Sequence, residues 1–295
     1  MRNKKILLIT YYWPPAGGSG VQRWLYFANN LAEMGYDVSV ITSKSKNYQL
    51  FDKELENYVS SKIKVIKISS FEPAKFFKSN NSNSDNINSD GLFNKIKLFI
   101  RANFFFPDSR KFWINKVVKT AIKYINSNEI DYLITSSPPF SLNIIGYKIK
   151  SKTNIKWISD FRDPWSDFFQ FRIMPMSNYI FNKHLKWEEI CLKSADSVIV
   201  TSPSLRNAYS KVNSNTYLIN NGFEKYNEVN NNGLFNIVYS GVMKSSQNPI
   251  MLWKVLADLC KSNESFKNDL NIKLIGDFDS SIFKDKNIIE LEKKV

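Results

Sequence analysis

The sequence predicts an α/β protein built on a parallel, doubly wound sheet, and two observations carry that prediction. Short continuous apolar runs, the mark of strands buried on both faces, alternate with longer segments whose apolar residues recur at helical spacing. The opening stretch shows the unit most completely. Ile6 to Ile9 is an apolar run, and Tyr11-Tyr12-Trp13-Pro14-Pro15-Ala16-Gly17-Gly18-Ser19-Gly20 is a glycine-rich loop. Val21, Trp24, Leu25, Phe27, Ala28 and Leu31 then fall on one helical face, and Gly35 closes the helix. A buried strand feeding glycines and a helix N-terminus is a place to hold an anion, usually phosphate.

The remaining elements follow in order. Asp37 to Thr42 reads as a second strand and Ile63 to Ile68 as a third, while Ser79 to Asp90 holds only Ser, Asn and Asp apart from Ile87 and reads as a solvated loop. Leu92 to Ile125 reads as two helices around Phe106-Pro107-Asp108. Asp131 to Thr135 is a fourth strand, running into Ser136-Ser137-Pro138-Pro139 and a helix from Phe140 to Lys150. Ile155 to Ser159 is a fifth strand, Tyr179 to Ser194 a helix, Ser197 to Thr201 a sixth strand, Ser204 to Lys211 a helix and Thr216 to Ile219 a seventh strand. A polar stretch then separates a restarted rhythm: strand Phe235 to Tyr239, a turn at Gly241, helix Pro249 to Cys260 and strand Asn271 to Ile275. The expected organisation is a complete domain over 1–222, a linker over 223–234 and a partial second domain over 235–295. That second unit falls short of an ordinary domain of about 100–150 residues, so the chain reads as ending partway through a fold.

Composition narrows the classes. The 295 residues are 43% hydrophobic, ample for packed cores, and hold no apolar run long enough to span a bilayer. The first apolar run is short and leads into aromatics and prolines rather than a small-residue cleavage site, so it is a first strand and not a signal peptide. Cys191 and Cys260 lie far apart without ligand spacing; two core thiols are favoured over one disulfide, no metal site is suggested, and a cytoplasmic setting follows. The net charge of +14 favours anionic partners. Seven arginines against thirty-four lysines argue against nucleic acid, whose readers favour the arginine fork.

Ligands of doubly wound sheets bind at the carboxyl ends of the strands, so the residues that follow each strand are the candidates. Gly17, Gly18 and Gly20 allow close backbone approach to a phosphate or sugar, or supply a loop that needs positive φ. A dinucleotide fold fits poorly: three residues after Gly20 stands Arg23 instead of glycine, and the second strand ends without a ribose-binding acid. Ser136 and Ser137 read first as helix caps, with Ser137 also a substrate candidate. In Asp160-Phe161-Arg162-Asp163-Pro164-Trp165, either a buried Arg–Asp pair stabilises the turn, or an aspartate meets a substrate hydroxyl and Arg162 an anion. His184, the sole histidine, sits mid-helix without a nucleophile and reads as structural. Gly91 to Ile125 carries eight basic residues against one acid, with interleaved phenylalanines. Its Lys95, Lys97, Arg101, Lys111 and Lys116 suit an anionic membrane surface, or simply form the solvated face of core helices. Asn221 in the polar stretch, and Gly241 with Lys244 in the second unit, complete the candidates; Lys244 can neutralise a diphosphate.

Taken together these strings resemble the GT-B glycosyltransferases, specifically the retaining family 4 group of bacterial surface-polysaccharide enzymes. The resemblance rests on the glycine loop with Tyr11 to Pro15, Phe106-Pro107-Asp108-Ser109-Arg110, Ser136-Ser137-Pro138-Pro139, Trp157 to Trp165, Asn220-Asn221-Gly222-Phe223 and Tyr239-Ser240-Gly241. It implies two Rossmann-like domains, the first for the acceptor and the second for a nucleotide-diphosphate sugar, with retention and without metal or cofactor. It places Gly17, Gly18 and Gly20 at the acceptor and diphosphate, Asp160 near the donor sugar, and Gly241 and Lys244 in the first donor-domain loop. The family's paired-glutamate motif lies further on than Val295, so this chain is expected to lack much of its donor site. The leading reading is sugar transfer to a saccharide or lipid-linked acceptor at the inner membrane face. The rivals are a non-catalytic acceptor-binding module and a sugar-nucleotide epimerase, the latter disfavoured by the want of an acid/base pair. Oligomeric state is left open.

Overall fold

The computed structural model describes residues 3–44, 48, 50–71, 92–168, 171, 174–222 and 233–291. The low-complexity stretch Ser79 to Asp90 and nearly all of the linker expected at 223–234 lie outside them. The chain divides into two compact units, Met1–Gly222 and Phe223–Val295.

The first unit runs β1 (Lys5–Ile9), α1 (Ser19–Glu33), β2 (Asp37–Ser43), β3 (Lys64–Ile68), α2 (Leu92–Phe104), α3 (Ile114–Asn128), β4 (Tyr132–Ser137), α4 (Ser141–Lys150), β5 (Lys156–Phe161), α5 (Asn178–Ser194), β6 (Ser197–Val200), α6 (Pro203–Tyr209) and β7 (Thr216–Leu218). The seven strands pair in parallel in the order β3-β2-β1-β4-β5-β6-β7. Strand order reverses between β1 and β4, which opens a crevice at their carboxyl ends.

Both faces of the sheet are covered, which is why its strands read as unbroken apolar runs. Successive side chains of a strand point to opposite faces. Ile6 and Leu8 of β1 therefore join Trp24, Leu25 and Ala28 of α1 in one core cluster. Leu7 and Ile9 join Val117 and Ala121 of α3, Ile145 and Ile149 of α4, and Trp157 of β5 in the other.

The second unit pairs β8 (Phe235–Met243) in parallel with β9 (Leu270–Phe278), with α7 (Ile250–Ser262) between them in sequence. Met243, Trp253, Leu256, Leu270 and Ile272 form its core. The turn expected at Gly241 is instead strand, continuing to Met243. Gly241 lies opposite Gly276 at φ 147° and 135°, and a Cβ on Gly276 would stand 1.9 Å from the Gly241 carbonyl oxygen. Two opposed glycines thus let the strands close where side chains would hold them apart.

A further close approach fixes the packing of α4 on the sheet. The Trp157 indole is fully buried against Gly146 and donates its Nε1–H to Thr135 Oγ1 at 2.9 Å. A Cβ at position 146 would lie 2.3 Å from the indole ring. Gly146→Ala should therefore destabilise the first unit by about 1–3 kcal/mol through overpacking, despite alanine's better helix propensity. Urea unfolding midpoints of the two proteins check this; an unchanged or raised midpoint contradicts it.

Candidate functional site

The chain segments that follow β1, β4 and β5 meet at the carboxyl edge of the sheet, beside the reversal of strand order. Asp160, near the end of β5, is fully buried. Its Oδ1 accepts from Arg23 Nη2 at 2.9 Å, and its Oδ2 accepts from Trp24 Nε1 and Ser136 Oγ, both at 2.7 Å, and from Arg23 Nε at 3.4 Å. Arg23, 2% exposed in its side chain, reaches on with Nη1 to the Asn220 carbonyl at 3.2 Å and Asn221 Oδ1 at 3.0 Å. One ion pair thus ties α1, β4, β5 and the end of the first unit together. Asp160 is shut off from solvent; of the two aspartates, it is the one that stabilises the turn.

Arg162 is held differently. Its Nη1 donates to the Gly20 carbonyl at 2.9 Å, its Nε to the Ser137 carbonyl at 3.3 Å and its Nη2 to the Pro138 carbonyl. These partners are neutral backbone oxygens. Burial pushes its pKa down, and the charges of Asp160 and Asp163 oppose that shift. Asp163 is half-buried, and its pKa is raised by burial and pulled back by Arg162. It is the more exposed of the two aspartates of this turn.

Each loop glycine has a packing reason. Gly17 donates its N–H to the Leu50 carbonyl at 2.9 Å, and a Cβ there would stand 3.2 Å from Asp52 Cβ. Gly18 caps α1 at φ 92°. A Cβ on Gly20 would press to 2.8 Å from Arg162 Nη1. The N-terminus of α1 has no side-chain cap and no acid in its first turn, so its amides and dipole present positive potential to the crevice.

The serines expected to cap α4 do not. β4 runs through Ser137, so Ser136 is spent on Asp160 and Ser137 Oγ donates to the Asp160 carbonyl at 3.4 Å. Ser137 is fully buried. The cap comes from Asp108, whose Oδ2 accepts from the Ser141 amide and whose Oδ1 accepts from the Arg110 amide, both at 2.8 Å. Burial raises the pKa of Asp108, which these amides oppose.

Behind the site, α5 grips the turn after Asp163. Glu188 is buried and accepts from the Trp165 and Ser166 amides at 3.1 Å each, from Ser166 Oγ and from Tyr209. Four donors to one buried carboxylate compensate its lost hydration. One turn earlier, His184 Nδ1 accepts from Trp165 Nε1 at 2.9 Å, and burial lowers its pKa to about 4. His184 is therefore neutral and structural, as its isolation in the sequence suggests. Arg23, Glu188 and Tyr209 escape sequence reading; Arg23 signals itself there only as the residue that breaks the glycine pattern.

The remaining candidates lie elsewhere. Lys244 is exposed just after β8, with its amide donating to Gln247 Oε1 at 3.0 Å. Lys95 and Arg101 are exposed on α2, and Lys97 is half-buried. Lys111 bends back to the Phe104 carbonyl at 2.6 Å, and Lys116 binds Ser69.

Two outcomes follow. Asp160→Asn should cost about 3–5 kcal/mol, because it leaves Arg23 charged and buried without a counterion; a loss near zero in urea unfolding would refute the pairing. The His184 ring is neutral when folded and protonates in the unfolded chain below its ordinary value of 6.5. Stability from this group is thus full above pH 6.5 and lost as pH falls toward about 4, by about 3 kcal/mol in all. His184→Gln keeps an acceptor for Trp165 and should flatten unfolding free energy across that window, where the parent falls.

No protein-family model matches the sequence, and no curated protein matches it. Solved structures do. An E. coli protein described as trehalose-6-phosphate bound with UDP-2-fluoro glucose matches at TM-score 0.52 and 11% identity, over 99% of this chain and 69% of its own. Glycyrrhiza uralensis UGT73P12, complexed with glycyrrhetinic acid 3-O-monoglucuronide, gives 0.52 at 10% identity, over 99% and 67%. A Listeria monocytogenes protein assigned as UDP-N-acetylglucosamine 2-epimerase gives 0.51 at 8%, over 99% and 66%. Identities this low speak for the fold, and the fold is GT-B-like, an α/β Rossmann architecture with a seven-stranded parallel sheet.

Proposed function

We propose that the chain belongs to a glycosyltransferase of the retaining family 4 type. It would move a sugar from a nucleotide-diphosphate donor to a saccharide or lipid-linked acceptor of surface polysaccharide, without metal or cofactor. The observation that carries the reading is Arg162. Its half-buried guanidinium donates to three backbone carbonyls, one of them that of Gly20 in the first turn of α1, a helix end that no side chain caps. A cation and a helix dipole converging on one crevice favour an anionic group there, in ground and transition state alike. In this reading Asp163 supplies the acid that accepts a hydroxyl proton or holds a sugar hydroxyl; a half-buried carboxylate with a raised pKa suits that work. Asp160, Ser137 and the loop glycines shape the crevice. In this reading Asn221 serves through Arg23, and Gly241 and Lys244 belong to the donor side.

The Listeria neighbour gives the epimerase reading its support, since its TM-score is comparable. Conversion of UDP-N-acetylglucosamine without any acceptor would decide for epimerisation. Nucleotide release from a panel of UDP- and GDP-sugars, with and without a saccharide acceptor, tests transfer. Absence of both donor binding and turnover would leave the non-catalytic acceptor module. If transfer is seen, Asp163→Asn should lower turnover by about 10²–10⁴-fold, while leaving the unfolding free energy within about 0.5 kcal/mol of the parent. Retained turnover in that variant removes Asp163 from the chemistry.

A further inference from the structure

We infer that α2, the 104–112 segment and the start of α5 together form one docking surface for an anionic lipid bilayer. The inference stands without the glycosyl-transfer reading, because it rests on exposed residues outside the crevice. A soluble face ordinarily hides large aromatics, yet Phe99 is 48% exposed, Phe104 64%, Phe112 47% and Tyr179 75%.

The segments that carry these residues, up to 80 positions apart, are linked by contacts of rings, a lysine and an asparagine. Phe105 and Phe112 meet edge to face at 6.3 Å, and Lys111 Nζ lies over both rings while donating to the Phe104 carbonyl. Asn103 then bridges α2 to the segment that opens α5: its Nδ2 donates to the Pro175 carbonyl and its Oδ1 accepts from the Ser177 amide, each at 2.9 Å. That bridge ties the start of α5, which carries Tyr179, to α2, a link the sequence alone does not reveal.

The charge selects the occupant. Exposed Lys95 and Arg101 flank the aromatics, and Gly91 to Ile125 holds only one acid, Asp108, which is spent on two amides. A second copy of so basic a face would be repelled, whereas phenylalanines among lysines and arginines match the acyl boundary and headgroups of an anionic leaflet. No helix among the described residues is long and apolar enough to cross a membrane, so the contact would be one of surface docking.

The test is flotation of the full chain with vesicles of phosphatidylcholine alone or mixed with phosphatidylglycerol. The chain should float with the anionic vesicles only, and raising salt from about 0.1 to 0.5 M should weaken binding, as screening requires. Phe104→Ser with Tyr179→Ser, both exposed and hence neutral to folding, should reduce vesicle binding by about tenfold or more. Lys95→Gln with Arg101→Gln should abolish the preference for phosphatidylglycerol. Undiminished binding by the aromatic pair, equal binding to neutral vesicles, or equally tight binding to soluble polyphosphate would each overturn the proposal. The last outcome would show a polyanion site instead. Vesicle binding without sugar transfer would fault the functional reading and leave this one intact.

Discussion

The buried pair of Arg23 and Asp160 constrains everything at the carboxyl edge of the sheet. Neither ion can remain charged out of water without close partners, so each must be fully coordinated. Asp160 meets this with Arg23, Trp24 and Ser136, and Arg23 with Asp160, Asn220 and Asn221. The coordination draws α1, β4, β5 and the end of the first unit to one point. That point lies at the reversal of strand order, where the fold already opens a crevice. Replacing the pair by apolar residues would be energetically tolerable in principle, but would no longer specify which segments converge.

Once Asp160 is committed, the roles of its neighbours separate. Arg162 is left to three neutral carbonyls of two segments, so its charge is positioned but not cancelled by contact. Asp163 is left half in water, and the turn that carries it is gripped from behind by Glu188 and His184, one turn apart on α5. Two aspartates three residues apart thus do unlike things because one is fully buried and the other half-exposed. The same logic explains why burial raises the pKa of Asp163 while the charge of Arg162 pulls it back.

The strand-helix rhythm was legible because parallel strands covered on both faces show as apolar runs, and α1 shows as a stripe at helical spacing. The strings at Asp160 to Trp165 and at Gly17 to Gly20 were legible as strand-end clusters. What sequence could not assign was partnership. Arg23 and Asp160 stand 137 residues apart, and Asp108 caps a helix 33 residues on, displacing serines that local rules favour for that task. In the second unit, Gly241 reads locally as a turn, while the contact that requires glycine comes from Gly276 on the neighbouring strand. Local rules see propensity; these residues are fixed by close approach across the fold.

The glycine loop shows how packing and function coincide. Gly17 is pinned to the segment at Leu50 and Asp52, Gly18 takes a conformation that side chains disfavour, and Gly20 makes room for Arg162. Each glycine is thus explained without a ligand. Yet their combined effect is to set the N-terminus of α1 beside a guanidinium, with no acid in its first turn to neutralise its amides. Donors fixed in advance lose little on binding, and in a partly dry crevice they act more strongly than in water. A loop shaped by packing alone could as well have placed an aspartate at the start of α1, which would stabilise the helix. Its absence leaves the positive end of α1 to whatever anion enters.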